Sequence, residues 1–259
     1  MRKFFQNLYK YRNYAAYSAT ASLREGVSGA YFSWLWWILD PLLFMLVYSF
    51  ISLVVFGRSE EYFIPFVFIG LGTWNFIQRT ISQSVGIVRH YKSILARVYL
   101  PKYILLFSNI FENFIQYLIT LGLTAIMAVI SGVPFSWMVF LLPVIIIVFL
   151  LLAFGVSCIM LHCGVYVRDL GNIVRVLLRL TFYLSGVFFS IPNRIPPPYS
   201  ELLLAINPAA MLINESRNVL LYGKMLNWEL VGAWFLIAIV LTAFGVYLIH
   251  RYEQNYTKR

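Results

Sequence analysis

Long apolar stretches separated by short polar ones dominate the chain. The 55 residues from Asn113 to Val167 contain no Asp, Glu, Lys or Arg. A helix needs only about 20 apolar residues to cross the ~30 Å hydrocarbon core of a membrane. The turn residues Ser131-Gly132-Val133-Pro134 divide this stretch into two. Along the whole chain, the pattern predicts six membrane-spanning helices, near residues 34–56, 62–87, 104–130, 138–165, 175–191 and 230–250.

Two segments depart from this pattern. Before the first predicted span, apolar side chains recur at helical spacing, which is typical of an amphipathic helix in the membrane interface, although an ordinary basic tail would also suit this segment. Between the fifth and sixth spans, Pro196-Pro197-Pro198 opens a half-apolar stretch that ends at Trp228. That stretch predicts short re-entrant helices or, alternatively, an extracellular loop with one amphipathic helix. The expected fold class is therefore all-α integral membrane, with six transmembrane helices.

The composition supports a membrane protein. Hydrophobic residues make up 61% of the 259 residues and charged residues only 12%, and the mean hydropathy is +0.78. A soluble domain carries about 25% charged residues. The chain thus has too little polar surface for a soluble enzyme, and its composition also argues against a disordered chain or a disulfide scaffold. The charged N-terminus has no apolar core typical of a signal peptide.

The positive charges indicate an orientation. There are 20 Lys and Arg against 10 Asp and Glu. If the N-terminus lies inside, fifteen of these cations fall on the inner side of the six spans and four on the outer side. This bias follows the positive-inside rule and predicts a multi-pass protein with both termini cytoplasmic. It also favours membrane loops over nucleic-acid binding as the reason for the basic balance.

Few residues suggest catalysis or metal binding. The chain lacks a P-loop, a G-x-S-x-G element and an H-E-x-x-H element. Cys158, His162 and Cys163 are close together, but they lack a fourth ligand. Small side chains buried in a membrane helix are the favoured interpretation, so no metal site and no catalytic residue are predicted.

Three charged residues fall inside predicted spans: Asp40, Arg79 and Glu112. Facing lipid, such a charge costs at least ~2.5–3.5 kcal/mol at the bilayer centre. Glu112 lies on a polar stripe with Asn109, Asn113 and Gln116. We expect Arg79 to pair with Glu112 or Asp40, unless the true helix ends place these groups in the headgroup region.

Several short runs carry a resemblance to a known family. They are Leu23-Arg24 with Trp36, Leu39 and Pro41, then Ile94 to Pro101, Val167 to Leu170, Leu178 to Ser185, and Asn207-Pro208 with Glu215-Ser216-Arg217. In this order and at these places among the spans, they resemble the ABC-2 type export permeases. The runs after residue 178 are most similar to the polysaccharide export permeases of that family, and especially to the teichoic acid translocation permeases.

The resemblance implies an organisation and a function. Residues 1–30 would form a cytoplasmic interfacial segment and residues 31–259 the ABC-2 transmembrane domain, working as a homodimer with two copies of an ATP-binding subunit. ATP and Mg would be held by that subunit, so the chain itself would need no cofactor and would not be an enzyme. It would export a lipid-linked polysaccharide, above all wall teichoic acid, across the bacterial cytoplasmic membrane. Another ABC-2 substrate (O-antigen, capsule or a drug) and a membrane enzyme acting on lipid-linked sugars stay open as alternatives.

The same resemblance suggests which residues matter. A surface coupled to the ATPase would include Arg24, Glu25, Arg89, Lys92, Arg97, Arg168 and Asp169. Aromatic side chains that could line a conduit for sugar rings are Trp36, Trp37, Tyr48, Phe182 and Tyr183. An outer gate in segment 192–228 would involve Asn207, Pro208, Glu215 and Arg217. The alternatives are a lipid-facing basic loop, aromatic residues of the interfacial belts, and an ordinary loop.

Overall fold

The computed structural model describes residues 60–95 and 100–252, with residues 9–11, 13–15, 17–21, 35, 39, 42–44, 46–47, 50 and 256. All regular structure in these residues is helical, which confirms the all-α class. The helices are α1 (Phe63–His90), α2 (Lys92–Leu95), α3 (Lys102–Ile130), α4 (Leu142–Tyr166), α5 (Leu170–Leu184), α6 (Ile191–Arg194), α7 (Tyr199–Ile206), α8 (Pro208–Leu220) and α9 (Trp228–Tyr252). A 3-10 turn, Trp137–Leu141, leads into α4.

The predicted first span, 34–56, falls mostly outside the described residues. So do Arg24, Glu25, Arg97, Trp36, Trp37, Asp40 and Tyr48 among the candidate site residues. In the N-terminal segment, the described residues between 9 and 21 are helical.

Three of the described helical stretches are long and apolar enough to cross a membrane. They are Lys102–Ile130, Trp137–Tyr166 and Trp228–Tyr252. Pro101 precedes the first of them, and Gly132, with a φ of 72°, lies in the turn that ends it. Three such helices indicate a multi-pass membrane protein.

Small residues bring α4 and α9 into close contact. A Cβ on Gly245 would lie 2.5 Å from the Cβ of Cys158, and one on Gly155 would lie 2.8 Å from the backbone nitrogen of Thr242. The Thr242 hydroxyl donates a hydrogen bond to the Leu151 carbonyl at 3.1 Å. Helices inside a membrane associate through such close backbone approach and polar contacts, because lipid gives them little hydrophobic driving force.

Helix α5 differs in extent from the predicted span 175–191. It begins at Leu170, where the carbonyl of Asp169 accepts hydrogen bonds from Asn172 and Ile173. It ends at Leu184, two residues before Gly186, whose φ of 62° belongs to the left-handed region that glycine favours. Its 15 residues span about 22 Å at 1.5 Å per residue. The apolar run therefore predicts a helix here but not the backbone break at Gly186.

Helix α1 lies at the centre of the described bundle. Phe76, Ile87 and Val88 belong to a core shared with α3, α4, α8 and α9. On its other side, Phe66 and Trp74 belong to a second core with α5 and α8. We call the end of the bundle where α1 ends and α5 begins the Asp169 end, and the end where α1 begins and α5 ends the Gly186 end.

Candidate functional site

At the Gly186 end, the guanidinium group of Arg217 is enclosed by backbone carbonyls. It donates to Phe66 at 3.2 Å, Gly186 at 2.8 Å, Val187 at 2.6 Å and Phe189 at 3.5 Å. Arg217 is 4% exposed, and its guanidinium carbon lies 3.4 Å from the centroid of the Phe66 ring. One side chain of α8 thus joins the start of α1 to the loop that follows α5.

Arg217 stays charged in this environment. Burial lowers its pKa to about 9, while Tyr222 and the nearby carboxylate of Glu60 act in the opposite direction. A pKa of about 9 still leaves the group protonated at neutral pH. Because its hydrogen bonds run to carbonyl dipoles rather than to a carboxylate, it acts as a buried cation that holds backbone in place.

A second set of polar contacts, made by Glu60 just before α1, fixes the same loop. The Glu60 carboxylate accepts hydrogen bonds from the backbone of Ser190 and from the side chains of Asn193 and Arg194, all at 3.3–3.4 Å. The Glu60–Arg194 contact is also an ion pair at 3.3 Å. Sequence analysis did not identify Glu60, because residues 130 to 134 positions apart meet here.

The other candidates of the outer segment organise α8. Asn207 caps the helix, since its side-chain oxygen accepts from the backbone of Ala209 and Ala210 and Pro208 follows it in the first turn. Its amide nitrogen donates to the Leu184 carbonyl at the end of α5. Glu215 is buried and accepts from the backbone nitrogen of Asn227 at 3.1 Å, which ties α8 to the start of α9.

A cleft of about 290 Å³ separates α1 from α5 and is partly lined by Phe44. We call it the α1–α5 cleft. Helix α1 contributes Leu71, Trp74, Asn75 and Gln78, and α5 contributes Arg175, Leu178, Arg179, Phe182 and Tyr183. The Phe182 ring lies 5.4 Å from Trp74 and 5.5 Å from Tyr183 between centroids. Two of the five predicted conduit aromatics, Phe182 and Tyr183, are therefore brought together.

The other lining residues were not selected from the sequence. Arg175 and Arg179 are four residues apart, and Phe182 and Tyr183 follow one turn later on the same face of α5. This spacing was available in the sequence and would have identified the two arginines. Trp74 had no such signal, because its place opposite Phe182 depends on how α1 and α5 pack.

One of the three charged residues predicted inside spans, Arg79, has a polar partner on a neighbouring helix. Arg79 of α1 donates to the side-chain oxygen of Gln116 on α3. Among the residues that the structure describes, no carboxylate forms an ion pair with Arg79. Asn113 donates to Gln83 at 2.8 Å and to Thr80 at 3.2 Å. The polar stripe of α3 thus faces α1, and Arg79 contacts Gln116 one turn beyond Glu112.

At the Asp169 end, the helix ends carry charge on one surface. Arg89 donates to the Gly164 carbonyl at 3.2 Å, which joins the last turns of α1 and α4. Lys92 lies in the next short helix, α2, and Arg168 and Asp169 are exposed in the turn between α4 and α5. These four predicted coupling residues therefore share one end of the described bundle.

The cysteine and histidine residues of α4 make packing and hydrogen-bond contacts. Cys158 is buried and packs against Gly245. The Nδ1 atom of His162 lies 2.7 Å from the hydroxyl of Tyr256, and its ring contacts Tyr252. Within the described part of the chain, no three potential ligands are grouped as a metal site would need.

The amino-acid sequence of this helical protein matches a known family of membrane transporters. A family model described as "ABC-2 type transporter" matches residues 5–221, so the chain belongs to the ABC-2 type transporter family. Its members are transport permeases, and this chain is accordingly a membrane permease.

Curated relatives are similar over almost their whole length. An O-antigen export system permease protein RfbA from Myxococcus xanthus is 25% identical over 241 residues, covering 93% of both chains. Two proteins of the same name from Klebsiella pneumoniae are 25% identical over 227 residues and 24% identical over 238 residues. They cover 87% and 91% of this chain, and 86% and 90% of their own length.

Proposed function

We propose that this chain is the transmembrane subunit of an ATP-driven exporter that moves a lipid-linked polysaccharide across the bacterial cytoplasmic membrane. Two copies would work with two copies of a separate ATP-binding subunit, which would hold the ATP and Mg. The observation that carries this proposal is the end-to-end similarity to permeases named for O-antigen export. It favours an O-antigen-type glycan over the wall teichoic acid that the sequence runs after residue 178 suggest.

The α1–α5 cleft supports a sugar substrate. Aromatic faces contact sugar rings through apolar surface, without requiring one hydroxyl pattern. Phe182, Trp74 and Tyr183 offer such faces beside the polar groups of Asn75 and Gln78. We therefore assign the predicted conduit role to this cleft, with Phe182 and Tyr183 as its predicted members.

Reconstitution tests the substrate. The chain would be co-expressed with ATP-binding subunits from the same genome, and the complex placed in proteoliposomes with one lipid-linked glycan at a time. We expect an O-antigen-type glycan on a polyprenyl carrier to stimulate ATP hydrolysis more than a teichoic acid polymer or an amphipathic drug. Stronger stimulation by teichoic acid would reverse the choice of glycan. Stimulation by the drug alone would reject polysaccharide export.

The Asp169 end would receive the ATP-binding subunit. Arg89, Lys92, Arg168 and Asp169 project from the ends of three helices, and Arg89 links α1 to α4 there. A partner bound at this end would contact the helix ends directly, so its movement on ATP hydrolysis would be passed to α1, α4 and α5. Arg24, Glu25 and Arg97 would belong to the same surface.

A charge reversal tests this surface. We expect Asp169→Lys to lower the amount of ATP-binding subunit that co-purifies by about tenfold or more, since like charges placed together at an interface cost several kcal/mol and about 1.4 kcal/mol is already tenfold. Glu201→Lys is the matched control, because Glu201 is exposed on α7, beyond the other end of α5. If both variants retain the subunit equally, the partner does not bind at Asp169.

At the Gly186 end, the outer segment would act as the gate. Glu215 and Asn207 fix α8 to its neighbours, and Arg217 binds the loop after α5. The helix would then move together with that loop, and opening would require the Glu60 contacts to break.

A further inference from the structure

The α1–α5 cleft contains two positive charges that lack negative partners in the described structure. Arg175 and Arg179 lie one turn apart on α5, and both side chains are exposed. Among the described residues, neither forms an ion pair with a carboxylate. Like charges four residues apart on a helix repel one another. An anion placed between the two side chains would relieve this repulsion.

The position of the two arginines favours a specifically bound anion over a surface counterion. Val174, just before Arg175, and Leu178, just before Arg179, are buried in the second core, so α5 is held against α1 at this level. The arginines lie five and nine residues after Leu170, or about 8 and 14 Å into the helix. Both side chains line the α1–α5 cleft, so water or a ligand in that cleft is what can solvate their charge.

A surface suited to a sugar adjoins these cations. Phe182 lies one turn beyond Arg179, with its ring 5.4 Å from the centroid of Trp74. The Trp74 indole donates to the Gln78 side-chain oxygen at 2.9 Å, which fixes both groups in the wall of the cleft. Tyr183 is 65% exposed and extends this aromatic surface. One helix face thus presents cations first and aromatic rings next, in the order of a phosphate followed by a sugar.

We propose that the α1–α5 cleft binds the phosphorylated end of the lipid-linked glycan. The guanidinium groups of Arg175 and Arg179 would hold phosphate oxygens, because their planar donors match phosphate geometry. The sugar next to the phosphate would lie against Trp74 and Phe182. This assignment rests on the proposed function, since it takes the substrate to be a lipid-linked glycan, and it names the part of that substrate that the cleft recognises.

A binding experiment with two probes tests the assignment. The full-length chain would be placed in phosphatidylcholine nanodiscs, and the affinity measured for a polyprenyl diphosphate with and without one sugar. We expect Arg175→Gln and Arg179→Gln each to weaken binding of both probes by about tenfold or more, because a hydrogen bond to a charged group is worth ~1.5–3 kcal/mol. Phe182→Leu should weaken only the sugar-bearing probe. Arg194→Gln, which removes a cation at the Gly186 end, should change neither.

Ordinary phospholipid is the other source of a phosphate group, so phosphatidylglycerol serves as a competitor. If phosphatidylglycerol displaces both probes as well as unlabelled polyprenyl diphosphate does, the cleft binds lipid headgroups and the proposal is rejected. Unchanged affinity of both probes in the Arg175→Gln/Arg179→Gln double variant also rejects it, provided the variant keeps the thermal stability of the unaltered chain.

The ATPase measurement separates this inference from the proposed function. If the double variant loses probe binding and also loses glycan-stimulated ATP hydrolysis, the cleft is the substrate site. Stimulation that persists in the double variant overturns the cleft assignment but leaves the export function intact. If no glycan stimulates even the unaltered chain, the export function itself fails.

Discussion

Replacing Arg217 with Met is expected to destabilise the protein by roughly 3–5 kcal/mol, because it removes the donor of several buried carbonyls at once. Met keeps much of the side-chain volume but donates no hydrogen bond. The carbonyls of Phe66, Gly186 and Val187 would then remain buried without the donors they have now. Each unsatisfied buried group costs about 1–3 kcal/mol.

The melting temperature in detergent measures this effect. For a chain of this size, 1 kcal/mol corresponds to roughly 2–4 °C, so Arg217→Met should lower the melting temperature by about 10 °C. The melting temperature of Arg217→Lys should lie between those of the unaltered protein and Arg217→Met. An ammonium group keeps the charge, but it cannot bind carbonyls in several directions as the planar guanidinium group does.

Arg194→Met is the matched control for Arg217→Met. Its side chain is 31% exposed, while that of its ion-pair partner Glu60 is 8% exposed. Because Glu60 also accepts hydrogen bonds from Ser190 and Asn193, we expect the loss of Arg194 to cost about 1 kcal/mol, the upper end for partly exposed ion pairs. We expect a shift in melting temperature of no more than about 4 °C. Equal shifts for Arg194→Met and Arg217→Met would contradict the assignment of Arg217 as the buried link between α8, α1 and the loop after α5.

Hydropathy locates the long helices of this chain because length and apolar content are local properties. It predicts 104–130 where α3 spans Lys102–Ile130, and 230–250 where α9 spans Trp228–Tyr252. Hydropathy does not predict where helix α5 ends. Its end depends on the left-handed backbone of Gly186 and on Arg217, which binds the carbonyls that follow it from 31 residues further along the chain.

The candidate site likewise has features that local sequence predicts and features that depend on how the helices pack. Charged loops and the Asn207 cap follow from local sequence, so they are predictable. The partner of Arg79 is not, because the choice between Glu112 and Gln116 depends on how α1 and α3 are rotated against each other. Glu60 could not be found from sequence, since its role exists only once the start of α1 meets the loop after α5.

Gly164→Ala should separate α1 from α4 at the Asp169 end. A Cβ at this position would collide with the carbonyl oxygen of Val85, and its next neighbours would also be backbone atoms of Val85. Backbone cannot rotate aside as a flexible side chain can, so the two helices must move apart. Overpacking of this kind costs about 1–3 kcal/mol and occasionally more, and we expect the melting temperature to fall by about 5 °C or more.

Gly86→Ala is the control that isolates the collision. Gly86 lies next to Val85 in α1, and a Cβ there would meet no atom within 4 Å. Since alanine favours a helix over glycine by about 0.5–1 kcal/mol, this variant should be as stable as the original or slightly more so.

Gly164→Ala should also weaken glycan-stimulated ATP hydrolysis, because the Arg89–Gly164 hydrogen bond joins the helix ends that we assign to the ATPase. If Gly164→Ala matches Gly86→Ala in stability, α1 and α4 do not approach closely at this point, and the rigid connection between the coupling surface and the bundle has to lie elsewhere.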